Sequence, residues 1–311
     1  MHHPPFLFGQ ILNFLFRHKL KSNNNKTFAL PKIFRRHAFV QILLKLRLIS
    51  AEQNIQFNND SQAYIDLNDP EPRNTFLRSA FEPDFFNVTK AFLPPKGVYF
   101  DLGSNVGLCS FGLVPSHPDA SYHLFEANPN LINLLKKSFE LYPHQNLKLN
   151  HACVSDKVGT TRFQLEPKQS GQSHVSTRQN SGIKVSNITL DEYCYEHDLD
   201  YVNFAKIDLE GHELPALKGW RKYLSAHKVN AIYIEIMPEN QARYNRATNA
   251  PLSFLESLGY ELYICKKEDF GFGINCTEAT KPDIRSFPLS HFMANDYPDN
   301  FTTDVLALAP N

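Results

Sequence analysis

Short apolar runs alternate along the chain with longer stretches in which apolar residues recur every three or four positions. GVYFDL, SYHLFE, LKLNHACV, VNFAKIDL, NAIYIEI, YELYIC and, near the end, TDVLALA read as strands. Amphipathic helices lie between them. The clearest is NPNLINLLKKSFELY: Asn128 is placed to cap it, Pro129 suits its first turn, and Leu131, Leu134, Leu135 and Phe139 share one face. HELPALKGWRKYLSA and PLSFLESLGY are two more. This alternation predicts an α/β fold in which crossover helices join the strands of one sheet.

Two regions depart from it. Residues 1–75 read as a basic, mainly helical extension, and residues 76–311 as the α/β domain. In the extension, FVQILLKLRLIS mixes apolar and basic positions at helical spacing, KSNNNKT is a polar break, and DLNDPEPRNTF reads as a linker or lid. Within the domain, GTTRFQL and IKVSNITL look like strands around the polar loop KQSGQSHVSTRQNSG. A loop this long in a compact domain is usually functional or mobile. His174 sits on it and reads as a solvated loop residue.

Composition sharpens the picture at the N-terminal end. With 311 residues, 42% of them hydrophobic, the chain can bury a sizeable core. Its net charge is zero, yet residues 1–50 hold nine Lys or Arg and no acid, leaving 23 basic against 32 acidic residues elsewhere. Such asymmetry suits an acidic partner or the protein's own acidic body. The interleaved Phe14, Phe16, Phe28, Phe34 and Phe39 fit an anionic membrane surface at least as well as nucleic acid, the less favoured partner. The apolar run Phe6–Phe16 is too short to span a bilayer, and its cations follow it, unlike those of a secretion signal. An organelle transit peptide stays open. Five scattered cysteines without metal-clip spacing read as reduced thiols, so a cytoplasmic protein is expected, with peripheral membrane association left open by the basic extension.

Candidate chemistry starts at VYFDLGSNVGL, residues 98–108. A dinucleotide fingerprint beginning at Gly103 would need glycine where Asn105 and Leu108 stand, and no Walker loop is present. The turn suits either a plain strand-to-helix crossover or a nucleoside cofactor without phosphates. The next strand ends at Glu126, placed to accept hydrogen bonds from ribose hydroxyls, and CVSD puts Ser155 and Asp156 at the neighbouring strand mouth, Asp156 facing an adenine amino group. Asp101, Glu126 and Asp156 at successive strand ends fit S-adenosylmethionine, whose cationic groups tolerate carboxylates.

At this point the chain resembles the FkbM-type class I methyltransferases. DLGSNVG, FEANPN, KIDLEGHELPALKG and IYIEIMPEN follow the family's order between Phe81 and Ile264. The resemblance implies a doubly wound, seven-stranded, mostly parallel Rossmann-like sheet with TDVLALA as its antiparallel last strand. It also implies S-adenosylmethionine as cofactor and O-methylation of a sugar, glycolipid or natural-product hydroxyl. The cofactor set is then Asp101, Gly103, Asn105, Gly107, Glu126, Ser155 and Asp156. RSAFEPDFF resembles the family's leading segment, with Ala80 in place of glycine, and makes Phe81 and Glu82 lid candidates. The resemblance does not reach residues 1–75.

For catalysis, Asp208 ends the KIDL strand and is the first choice for contacting the acceptor hydroxyl. His212 and Glu210 are alternative bases, a histidine having the pKa suited to proton transfer near neutrality. Glu210 reads equally as a helix cap, and His212 as a plain first-turn residue. Asp208 and Glu235 end adjacent strands and are candidate oxygen ligands for a divalent ion, which no motif demands. HELPA lacks the second histidine of a zinc protease. The acceptor is expected to be a small molecule or glycan. The alternatives are a nucleic-acid or protein methyltransferase guided by the basic extension, a cofactor-binding membrane-surface protein without turnover, and a nicotinamide oxidoreductase, against which Asn105 weighs.

Overall fold

The computed structural model describes residues 37–178, 180–265 and 289–310. The strands are, in order, a hairpin of β1 (Glu52–Phe57) and β2 (Ser61–Asp66), then β3 (Val98–Leu102), β4 (Ser121–Glu126) and β5 (Asn146–His151). A group of four follows: β6 (Cys153–Val154), β7 (Gly159–Gln164), β8 (His174–Val175) and β9 (Ile183–Ile188). The last are β10 (Val202–Ile207), β11 (Val229–Ile236), β12 (Glu261–Cys265), β13 (Leu289–Phe292) and β14 (Thr303–Leu308).

Eight strands form one sheet in the order β13-β12-β14-β11-β10-β3-β4-β5. From β5 to β11 neighbours run parallel, and β14 inserts antiparallel between β11 and β12. The expected seven strands are therefore joined by an eighth, β13, antiparallel to β12 at the edge. It is only four residues long, so no apolar run announced it. LKLNHACV also divides: β5 stays in the main sheet, while β6 pairs with β9 in a separate sheet ordered β6-β9-β7-β8.

The central strands are buried on both faces, which is why they read as continuous apolar runs. Adjacent residues serve opposite cores. Tyr99 packs with Phe85, Phe111 and Tyr122 on one face, whereas Phe100 packs on the other, its ring stacked on Trp220 with centroids 5.4 Å apart.

Helices cover these faces. They begin with α1 (His37–Lys45), α2 (Pro70–Arg78), α3 (Pro83–Phe92), α4 (Leu108–Leu113) and α5 (Pro129–Phe139). Helix α5 forms as its sequence predicts: Asn128 Oδ1 accepts the Asn130 N–H at 3.0 Å, and Leu131, Leu134 and Leu135 are buried. Next come α6 (Leu190–Glu196), α7 (Glu213–Lys218) and α8 (Arg221–Ser225), the last two dividing HELPALKGWRKYLSA.

Residues 37–75, the described part of the expected extension, are not mainly helical. Helix α1 overlaps the first part of FVQILLKLRLIS, but residues 52–66 form the hairpin. Gln53, Ile55, Phe57, Ser61, Ala63 and Ile65 alternate into the core, and Asn58 and Asn59 turn with φ of 44° and 75°. The hairpin rests on α5 and the turn after it. Tyr64 N–H donates to Ser138 Oγ at 2.8 Å, and Tyr142 Oη accepts the Gln62 N–H at 2.7 Å. DLNDPEPRNTF is not a linker but the start of α2, because Asp69 Oδ1 accepts the Glu71 N–H and Pro70 occupies a first-turn position where no N–H is needed. The Phe6–Phe16 run lies outside the described residues. Among those described, no helix is long and apolar enough to cross a membrane.

Ile65→Ala is expected to lower unfolding free energy by about 2–5 kcal/mol, the usual cost of truncating a buried aliphatic residue. Denaturant unfolding measures this directly, and a loss below about 0.5 kcal/mol would instead mark the hairpin as a detachable appendage.

Candidate active site

A cavity of about 270 Å³ opens at the carboxyl ends of β3, β4, β10 and β11. There the sheet's connections diverge to either side of β3, the position at which open α/β sheets bind ligands. The chain leaves β3 through Gly103, Asn105 and Gly107, with φ of 82°, 50° and 79°. Gly103 is dictated by crowding: an added Cβ would lie 1.9 Å from the Asp208 carbonyl oxygen. Opposite this turn, Glu126 is 6% exposed. Its carboxylate accepts the Asn105 N–H at 2.8 Å and the Asn128 N–H at 2.6 Å. Burial nonetheless pushes its pKa up to about 7.

The other end of the cavity is crowded with carboxylates around one lysine. Lys206 lies in β10 with its side chain 8% exposed, and its Nζ is 2.8 Å from Asp208 Oδ2. Burial works against its charge, but Asp208, Glu82 and Asp101 hold its pKa well above the ordinary lysine value. Asp101, beside it on β3, accepts the Ser110 hydroxyl at 2.5 Å. The Asp208 charge, followed by burial, raises the pKa of Glu235. Burial, then Asp208, pushes Glu210 up to about 8, while Asn240 Nδ2 donates to Glu210 Oε2 at 2.6 Å. Asp208, Glu210 and Glu235 each place a carboxylate oxygen within 4.8 Å of the others. Such oxygens can hold a divalent ion, although Lys206 already sits on Asp208.

His212 plays a different part. Its Nε2 lies 3.0 Å from Ser155 Oγ, and burial lowers its pKa to about 4, so the ring is neutral near pH 7. Glu213, one residue on, organises the turn by accepting the Leu209 N–H at 3.1 Å, the Gly211 N–H at 2.9 Å and Gln241 Nε2 at 2.5 Å.

The long polar loop is tied down over the cavity. Ser170 N–H donates to Asp69 Oδ2 and its hydroxyl to Asn105 Oδ1, each at 2.8 Å. At Gly171 a Cβ would stand 2.7 Å from Glu71 Oε2, so the strip lies directly against α2. Glu71 and Glu82 line the cavity and are exposed through its opening; enclosure by the cavity walls raises the pKa of each above the ordinary carboxylate value. His174 belongs to β8 and is not a lining residue.

Of the residues expected at the site, Asp101, Gly103, Asn105, Glu126, Asp208, Glu210, His212 and Glu235 line the cavity, as do Phe81 and Glu82. Gly107 lies between lining residues Val106 and Leu108 and precedes α4. Ser155 and Asp156 do not line it. The chain has left the main sheet by β6, so Cys153 and Val154 face the cavity, Ser155 turns to His212, and Asp156 is exposed. Sequence reading overlooked Lys206, Glu71 and the apolar wall of Ala127, Cys153, Phe163 and Val175. A lone lysine inside the apolar run VNFAKIDL was the available signal for the first.

Seven carboxylates line the cavity, and Lys206 is the only Lys or Arg among its described lining residues. With that lysine paired, the donor set suits a nucleoside bearing a cation and offers no free base to a pyrophosphate. The apolar wall at the opposite end suits a purine. The site thus has the form of a nucleoside-cofactor pocket in a Rossmann-like α/β enzyme. Residues 101–262 match the Methyltransferase FkbM domain, and the chain belongs to that family. It is 31% identical over 144 residues to the hexuronic acid methyltransferase AglP of Haloferax volcanii, an alignment covering 45% of this chain and 55% of that protein. The chain therefore spans about half the length of that curated relative. Among solved structures, a precorrin-6y C5,15-methyltransferase from Geobacter metallireducens aligns at 13% identity and a TM-score of 0.38, over 72% of this chain and 86% of the other. A Streptococcus mutans protein in complex with SAH aligns at 10% identity and a TM-score of 0.37, over 72% and 93%.

The raised Glu126 carboxyl makes stability depend on pH. Between the ordinary value of 4.5 and about 7, the native state holds a proton that the unfolded chain releases. Native protein then binds more protons, so stability falls as pH rises through that window. The melting temperature of ligand-free protein is expected to drop between about pH 5 and about pH 8, with Glu126→Gln flattening the slope. A melting temperature that climbs over the same interval contradicts this.

Proposed function

We propose that the chain is an S-adenosylmethionine-dependent O-methyltransferase acting on a hydroxyl of a sugar, glycolipid or natural-product acceptor. The observation that carries the reading is the carboxylate group at one end of the cavity, in which Glu210 is pushed up to about 8 beside Asp208. A base poised near neutrality is what deprotonating a hydroxyl requires. His212, lowered to about 4 and turned to Ser155, suits that task poorly.

S-adenosylmethionine, when bound, supplies a methyl group already activated by its sulfonium charge. The residues that would hold it are Glu126 for the ribose hydroxyls, Asp101 and the turn of Gly103 and Asn105, and the apolar wall around Phe163 for the adenine. Asp208, fixed by Lys206 at 2.8 Å, orients the acceptor hydroxyl. Glu210 receives its proton. Asp156 drops out of the cofactor set because it does not line the cavity.

The hexuronic acid methyltransferase activity of the Haloferax volcanii relative supports a sugar acceptor. The acidic wall here favours a neutral reacting group, so any acceptor carboxylate points away from it. A divalent ion on Asp208, Glu210 and Glu235 is a second reading, favoured by their spacing.

Methyl transfer to a panel of neutral hexosides and hexuronides tests both. With Glu210 as base, the rate rises with pH through about 8, and chelator leaves it unchanged. Glu210→Gln lowers kcat by about 10²–10⁴, with SAH affinity by calorimetry held within about twofold. A variant as active as the parent rules out Glu210 as the base. Loss of activity with chelator favours the metal. Product methylated on nitrogen or on a carboxylate overturns the hydroxyl assignment.

A further inference from the structure

Helix α1 carries apolar residues on two sides. Val40 and Leu43, with Ile49 just beyond, are buried in the core. Ile42, Leu46 and Leu48 are instead exposed, at 51%, 62% and 45%. Ile42 and Leu46 share a side because the Leu46 N–H continues the helical ladder to the Ile42 carbonyl at 2.9 Å. Eight large apolar side chains are exposed among the described residues, and these three fall within one seven-residue stretch, whereas the others are scattered along the chain.

Charge distinguishes the patch further. Lys45 and Arg47 alternate with the apolar residues, are exposed, and make no ion pair among the described residues. No acid occurs anywhere in residues 1–50, which hold nine Lys or Arg. Apolar residues interleaved with cations, and with no acid in residues 1–50, match the boundary of an anionic bilayer, where acyl chains lie just beneath phosphate and carboxylate headgroups.

We propose that α1 and the turn after it dock on an anionic lipid surface, with Ile42, Leu46 and Leu48 at the headgroup–acyl boundary and Lys45 and Arg47 against headgroup anions. Docking does not depend on what is methylated. It has a consequence for the site, since α1 meets α2 through the Arg73 Nε donation to His37 Nδ1 at 3.0 Å, and α2 carries Glu71 at the cavity. An acceptor held in the same membrane would reach the cavity from the side that α2 lines.

The test uses the full chain and vesicles of phosphatidylcholine, with or without about 30 mol% phosphatidylserine. Cosedimentation is expected with the anionic vesicles only, and to weaken with salt. Ile42→Glu with Leu46→Glu and Leu48→Glu should cut the bound fraction at least tenfold, while SAH affinity by calorimetry stays unchanged. Because the chain has one tryptophan, the fully buried Trp220, Leu46→Trp adds a clean reporter. Its emission should shift blue, and brominated lipid should quench it, only when anionic vesicles are present. Absence of vesicle binding overturns the proposal, as does binding that the triple substitution leaves intact. So does a reporter already blue-shifted without lipid, or a dimer that the triple substitution dissociates, because either places protein on the patch.

Discussion

One buried ammonium among carboxylates holds the site together. Lys206 projects from β10 between Asp101 on β3 and the Asp208 carboxylate, 2.8 Å from its Nζ. Enclosure, and at Glu235 first the Asp208 charge, pushes the surrounding acids toward their neutral forms, and the Lys206 charge counters that at Asp101, Glu71, Glu82 and Glu235. A buried pair of this kind contributes little net stability beside an apolar replacement, yet losing one partner costs about 3–5 kcal/mol because the other is left uncompensated. The lysine is better understood as the counter-charge that permits an acidic, ligand-facing cavity than as a source of stability.

The rest of the site is arranged by backbone. Glu126, at the end of β4, and Glu213, at the start of α7, each accept two main-chain N–H groups, so they hold their own turns in shape. Gly103 brings the first turn against the Asp208 carbonyl, which joins the proposed cofactor end to the proposed acceptor end. The polar strip at Ser170 closes the same space from above by bonding both Asp69 and Asn105. Several carboxyls raised toward neutrality in one cleft are a physical mark of a reaction site, although structural charge clusters also produce them.

What could be read from the sequence follows from how local each feature is. β3, β4, β10 and β11 are buried on both faces and stood out as apolar runs, and α5 carried its cap and stripe in adjacent residues. DLGSNVG and its companion motifs pointed to the family that the domain match shows. The hairpin was missed because its buried face includes Gln53 and Ser61, which weakens the alternation of apolar and polar positions. Read as one continuous strand, CVSD carries Ser155 and Asp156 to the cavity, whereas the pairing of β6 with β9 ends that strand early. The bond from Ser170 to Asp69 spans 101 residues, so nothing local announces the lid. Lys206 was overlooked because a lysine in an apolar strand looks like an exception until its neighbours from other strands are placed around it.

A double-mutant cycle between Lys206 and Asp208, followed by denaturant unfolding at constant pH, probes the counter-charge directly. Lys206→Met alone should destabilise strongly, and adding Asp208→Asn should recover at least about 1 kcal/mol relative to the sum of the two single changes. Strictly additive effects would mean that the ammonium and the carboxylate do not depend on each other, and that something else keeps the acidic cavity folded.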